Sequence, residues 1–170
     1  MKKILLEDDK IHCLSLIDTF NTNSYIELVE AAYRDKGGIV GQRTPLKTKT
    51  AQTIRERMVD DICNGAVLPP VVIGLVVNDE QYEKIKKESI VDLKELFRED
   101  SINGSLCIID GMQRTTALLE AMEKNSNIAS SQLRVEFWIA TKMNSLIYRM
   151  LVLNTGQVPW DIKSCLLIRS

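Results

Sequence analysis

"CIIDGMQRTTALLEAM", residues 107–122, passes from apolar to polar to helical within a few positions. Cys107-Ile108-Ile109 end an apolar run, Asp110-Gly111 form a turn, and Ala117 through Met122 carry helical spacing. A strand that ends in a glycine turn and feeds a helix is a general anion site. The first-turn amides have no intrahelical acceptor, and the aligned peptide dipoles leave partial positive charge at their end. Gly111 permits close approach to the backbone. Arg114 offers a planar, bidentate grip on phosphate. Thr115 and Thr116 either cap the helix or donate to phosphate oxygens. Asp110 beside a phosphate has three uses: to hold a metal, to activate a water, or to orient Arg114. The stretch is not a Walker loop, because GxxxxGK[ST] is absent.

Around this junction the apolar spacing sorts the chain into elements. "AQTIRERMVDDICNG" (51–65) places Ile54, Met58 and Ile62 every four residues, which predicts an amphipathic helix closed by Asn64-Gly65. "VLPPVVIGLVV" (67–77) reads as a buried strand entered through two prolines that cannot sit inside a sheet. Residues 79–100 predict a charged helical insert, and "LCIID" (106–110) predicts the strand that delivers Asp110. "LRVEFWIAT" (133–141) alternates like a strand, "MNSLIYRMLVLN" (143–154) reads as a helix, and "NTGQVPWDIKSCLLI" breaks and restarts one. Leu14, Leu16 and Ile17, then Ile26, Leu28, Val29 and Ala32, give residues 1–36 helix-like spacing, with Asn21 to Ser24 as a break and cap. "DKGG" (35–38) marks the boundary after this N-terminal helical extension. The order predicts a mixed α+β domain over 37–170.

Composition narrows the function classes. The 170 residues carry a formal net charge of −1, so no global basic field calls for nucleic acid. Apolar runs are too short to span a bilayer, and the start lacks a signal-peptide pattern. The four cysteines (13, 63, 107 and 165) form no CxxC pair and lie in or beside apolar segments, the pattern of buried free thiols in a reducing cytoplasm. One histidine, His12, argues against a zinc site or a Ser-His-Asp triad. The final "SCLLIRS" has no polar tail, as expected for the N-terminal part of a longer protein.

"IIDGMQRTTALLEA" resembles the DGQQR or DGQHR motif of the ParB/sulfiredoxin-like superfamily, whose ParB members carry a GERRxRA box and whose sulfiredoxins carry a GCHR box at the same strand-to-helix position. Other pieces follow in the same order. Gln42-Arg43, a helix and "LPPVVIG" are similar to the arginine, helix and "PPIVV" strand before the box. "LRVEFWIA", a helix and "LVLNTGQVP" resemble the strand, helix and asparagine turn after it. The asparagine turn and the insert at 79–103 look most like the DGQHR branch, which includes the DndB proteins of DNA phosphorothioation. Met112 stands where sulfiredoxin has its cysteine and where ParB has glutamate, and Leu153 replaces a second ParB glutamate. The resemblance therefore points away from sulfiredoxin and ParB chemistry.

What the resemblance implies is a ParB/sulfiredoxin-like small mixed sheet with flanking helices. It also implies a nucleotide-binding domain, an NTPase in first place, working in bacterial or phage DNA modification, restriction or its regulation. Its ligand is a nucleoside triphosphate of unspecified base, with Mg²⁺ as an optional companion. Asp110, Gln113 and Arg114 are the expected catalytic residues. Gly111, Met112, Arg114, Thr115, Thr116, Gln42, Arg43, Asn154 and Thr155 are the expected nucleotide and phosphate ligands; Asn154 and Thr155 suit helix capping equally well. A non-catalytic DNA-binding regulator and, third, a ParB-like nuclease use the same phosphate chemistry. Arg43, Lys47 and Lys49, with Thr44, Thr48 and Thr50, suit phosphate contact or a solvated loop. With so few cations on one side, DNA binding by this chain alone is expected to be weak, and partners include a second copy or other proteins of such a system. Trp138 and Trp160 read as core rather than stacking platforms, while Glu56, Asp60 and Asp61 suit solvent better than a metal pair.

Overall fold

A computed structural model describes the chain over residues 4–34, 49–87 and 106–154. Within these, β1 (Ile4–Asp8), β2 (Cys13–Asn21), β3 (Val71–Val76), β4 (Leu106–Asp110) and β5 (Gln132–Ala140) form one sheet in the order β1-β2-β5-β3-β4. The helices are α1 (Thr22–Arg34), α2 (Lys49–Cys63), α3 (Asp79–Lys87), α4 (Met112–Lys124) and α5 (Met143–Asn154), with a 3-10 turn at Ser126–Ser130. β3 runs parallel to β5, and the other pairings are antiparallel. The sheet is therefore mixed and the fold is α+β.

The strands predicted at 67–77, 106–110 and 133–141 are found, as are the helices at 51–65 and 143–154. The two prolines precede β3, where no ladder amide is needed. The described part of the 79–100 insert is α3; residues 88–105, 155–170 and the "DKGG" turn lie outside the described residues.

The N-terminal helical extension is corrected. Residues 4–21 are a strand hairpin, and only Thr22–Arg34 is helical. The cause is burial on two faces. Leu14, Leu16 and Phe20 face the larger core, while Cys13 and Ser15 are buried on the opposite face. A strand covered on both sides loses the alternation that would distinguish it. The hairpin is also no appendage, because β2 pairs along its whole length with β5. The expected cap does occur: Asn21 Oδ1 accepts from the Ser24 amide at 2.7 Å, opening α1.

The larger core lies between one face of the sheet and α1–α4, around Tyr25, Val59, Ile73, Leu118 and Phe137. α5 covers the other face over Cys13, Val72, Cys107, Ile109 and Trp138. Trp138 is core, as expected; its ring lies under the Arg149 guanidinium, 3.8 Å from the ring centroid, and Arg149 also pairs with Asp8 at 2.8 Å. Trp160 lies outside the described residues. Among the described residues no helix is long and apolar enough to cross a membrane. Cys13 and Cys107 are buried free thiols, Cys63 is half-buried and free, and Cys165 lies outside the described residues.

Gly74 sets the distance between α5 and the sheet. A Cβ there would lie 2.8 Å from Cys107 Sγ and 3.0 Å from Leu146 Cδ1. Gly74→Ala should lower stability by about 1–3 kcal/mol through overpacking, measured by urea unfolding, and should shift Trp138 fluorescence as α5 is displaced. Burial, with the Asp8 carboxylate second, pushes the Cys13 thiol up to about 11 from an ordinary 9.0. Between those values the unfolded chain has lost a proton that the folded chain keeps, so this contribution to stability is intact below pH 9 and falls as pH rises. The urea midpoint should decline through that window, and Cys13→Ala should flatten the decline.

Candidate functional site

Edge strand β4 delivers Asp110, Gly111 makes the turn, and α4 starts at Met112. Gly111 has φ 108°, a left-handed conformation that side chains resist, and stands at the N-cap with no side-chain capping bond to α4. It is required a second time by space: a Cβ would lie 2.9 Å from Val71 Cγ1 and 3.2 Å from Arg114 Nη2. The glycine thus lets the first turn of α4 close down on the start of β3.

Arg114 locks this arrangement. Its Nη2 donates to Asp110 Oδ2 at 2.8 Å and to the Pro70 carbonyl at 3.1 Å. The Arg114 side chain is 18% exposed and that of Asp110 44%. Of the three uses open to Asp110, the structure realises the orienting of Arg114. It also joins two separately noted stretches, "LPPVV" and "DGMQR", through one guanidinium. Among the described residues, Arg114 Nε is buried without a hydrogen-bond partner.

Thr115, expected among the phosphate ligands, turns its side chain into the fold. It is buried, its hydroxyl donates to the Gly111 carbonyl at 3.0 Å, and it lies 2.6 Å from the Tyr25 hydroxyl. It therefore ties α4 to α1. Thr116 turns its hydroxyl back to the Met112 carbonyl at 3.1 Å. Met112 packs partly against the larger core. Gln113 is half-buried and, among the described residues, its side chain makes no hydrogen bond, which leaves it the motif's uncommitted polar side chain.

The structure brings together Asp110 through Thr116. Gln42, Arg43, Thr44, Lys47, Thr48 and Thr155 lie outside the described residues, and for Lys49, Thr50 and Asn154 the backbone alone is described, Asn154 ending α5. Glu56, Asp60 and Asp61 are exposed on α2, where Asp60 accepts from Lys124 at 3.3 Å. His12 stands in the β1–β2 turn with φ 52°, at a distance in the fold from the β4–α4 turn. Among the described residues no group of three or more His, Cys, Asp or Glu is placed to hold a metal ion. A cleft of about 320 Å³ opens elsewhere, beside Ile62, Cys63, Leu68, Leu118, Ile128 and Leu133. Sequence reasoning missed the Pro70 carbonyl, Val71 and Tyr25, the parts that come from distant positions.

Chemically, the junction presents a helix N-terminus without a side-chain cap and an arginine held beside it. Partial positive charge from the dipole and from the guanidinium coincide there, tempered by Asp110. Comparison with protein-family models, with curated proteins and with solved structures returned no match.

Gly111→Ala must adopt a left-handed φ and displace Val71. It should cost about 1–3 kcal/mol in urea unfolding, whereas Gln113→Ala, at a half-buried surface position, should leave stability nearly unchanged.

Proposed function

We propose that the β4–α4 junction binds the phosphates of a nucleoside triphosphate, and that the chain is a ParB/sulfiredoxin-like domain of the DGQHR type acting in DNA modification, restriction or its regulation. NTP hydrolysis is the favoured activity. One observation carries the reading: α4 opens on a left-handed glycine without a side-chain cap, beside an arginine fixed by Asp110 and the Pro70 carbonyl. Gly111 brings no side-chain acceptor of its own to the first turn of α4, and the helix dipole directs partial positive charge toward that turn. The ordered pieces that resemble the DGQHR proteins support the same reading.

The roles within the motif follow from the contacts. The backbone amides at the start of α4 and the Gln113 side chain are the donors offered to phosphate. Arg114 supplies charge from a fixed position, and Asp110 holds it there. Thr115 serves the fold. Any Mg²⁺ arrives as part of the triphosphate ligand and would meet Asp110, the motif's one carboxylate.

Thermal unfolding of the purified chain with each NTP, with and without Mg²⁺, tests the proposal. A ligand at a hundred times its Kd stabilises by about 2.7 kcal/mol, so a clear rise in Tm is expected. Gln113→Ala should weaken nucleotide binding on the order of tenfold without changing the unliganded Tm. Because Asp110 and Arg114 share one ion pair, Asp110→Ala, Arg114→Ala and the double variant should lose similar affinity rather than adding. Nucleotide affinity should depend shallowly on salt, since one compact ligand is held. Tight, steeply salt-dependent duplex binding with no response to any NTP would instead make the junction a DNA-backbone site in a regulator.

A further inference from the structure

Tyr25 of α1 is wholly buried, and its hydroxyl stands 2.6 Å from Thr115 Oγ in the first turn of α4. Thr115 is also buried, and its own hydroxyl hydrogen goes to the Gly111 carbonyl at 3.0 Å. A hydroxyl carries one hydrogen, so the hydrogen between the two oxygens belongs to Tyr25. The contacts therefore run in one direction: Tyr25 donates to Thr115, and Thr115 donates to Gly111. Each bond in such a chain polarises the next. The Gly111 carbonyl accepts a second time, from the Thr115 amide at 2.8 Å.

The carbonyl so held belongs to the peptide that joins Gly111 to Met112, where α4 begins. Gly111 has no side chain to limit the rotation of that peptide, and its plane sets the direction in which the helix leaves β4. On the partly exposed side of the turn, Arg114 ties it to Asp110 and to the Pro70 carbonyl. On the buried side, Thr115 ties it to α1. α1 is itself anchored at its first residue: the Thr22 amide donates to the Ser131 carbonyl at 2.9 Å, and the two hydroxyls lie 2.8 Å apart. We infer that Tyr25 is a positioning residue of the phosphate site: through Thr115 it fixes the Gly111 peptide, and with it the stance of Gln113 and Arg114 toward the ligand. The inference rests on the reading of the β4–α4 junction as a phosphate site, and Tyr25, being buried, acts on that site only through Thr115.

Losing the Tyr25 hydroxyl changes geometry rather than ligand contact. Without it the Thr115 hydroxyl is free to turn from the Gly111 carbonyl, and the first turn of α4 must be ordered when the ligand arrives. That ordering subtracts from affinity, whereas a turn already fixed loses nothing on binding.

Titration of the full chain with inorganic tripolyphosphate and with each NTP, well below the unfolding temperature, tests the inference beside amide NMR spectra of the unliganded chain. Tyr25→Phe keeps the buried ring and removes the hydroxyl. It should weaken triphosphate binding roughly threefold to tenfold and shift the amide cross-peaks of Gln113 and Arg114. Thr115→Val should do the same, and the two substitutions together should weaken binding no more than Thr115→Val alone. Thr115→Ser keeps the hydroxyl and should bind within about twofold of the parent. A role in stability alone would lower the Tm of Tyr25→Phe and leave its affinity and cross-peaks in place, and that result overturns the proposal. So does affinity lost with the Gln113 and Arg114 cross-peaks unmoved, or a Thr115→Ser chain as weak as Thr115→Val. Should Thr115→Val fail to fold, Tyr25→Phe decides the matter. A parent that binds neither tripolyphosphate nor any NTP overturns the reading of the junction and this inference with it. A parent that binds, with Tyr25→Phe equally tight, overturns the inference alone.

Discussion

β5 is hydrogen-bonded along both edges, antiparallel to β2 and parallel to β3, and its second half, Phe137 to Ala140, is buried on both faces. Every other part of the fold is placed relative to it. The N-terminal hairpin reaches the rest of the sheet through β2–β5 pairing, and β4 reaches it through β3. The larger core packs on one side of β5 through Val135, Phe137 and Ile139, and α5 packs on the other through Trp138 and Ala140. Two independent layers of helix are thereby held by one strand, which explains why a chain of this size supports a three-layer arrangement.

The β4–α4 junction is built with the same economy of parts. Gly111 brings the helix onto Val71, and Arg114 then reaches across to the carbonyl before that residue while Asp110 balances its charge. A guanidinium held by two such bonds is stiff, with little rotamer freedom left to lose. The Asp110 carboxylate, 2.8 Å from it, balances its charge and fixes its direction.

Much of this was legible in the sequence. β3, β4 and α4 declared themselves because each has a clear boundary signal: Pro69-Pro70 before β3, and Asp110-Gly111 between β4 and α4. The turn that carries the DGMQR stretch is marked by the same signal. The hairpin was not legible, because Cys13, Leu14, Ser15 and Leu16 are all buried and blur the two-residue period that marks a strand. The burial of Thr115 was not legible, because a hydroxyl one turn into a helix looks the same in sequence whether it faces solvent or Tyr25; its partner stands 90 positions away. The Pro70 carbonyl carries no side-chain signal at all. Local chemistry is written locally, while the direction in which a side chain points is decided by elements far along the chain.

Thr22 bonds to Ser131 across 109 positions, at the far end of the β2–β5 ladder. During synthesis the hairpin must therefore wait for its partner strand on the order of ten seconds, with the inner edge of β2 unsatisfied throughout. β3 and β4 can pair in that interval, so the nascent chain carries two half-sheets with complementary free edges until β5 emerges and closes both. Such long-range closure makes for slow folding and a window of self-association. The strand that completes the architecture is also the one that sets its clock, and expression at low temperature or with holding chaperones should improve the yield of this chain for that reason.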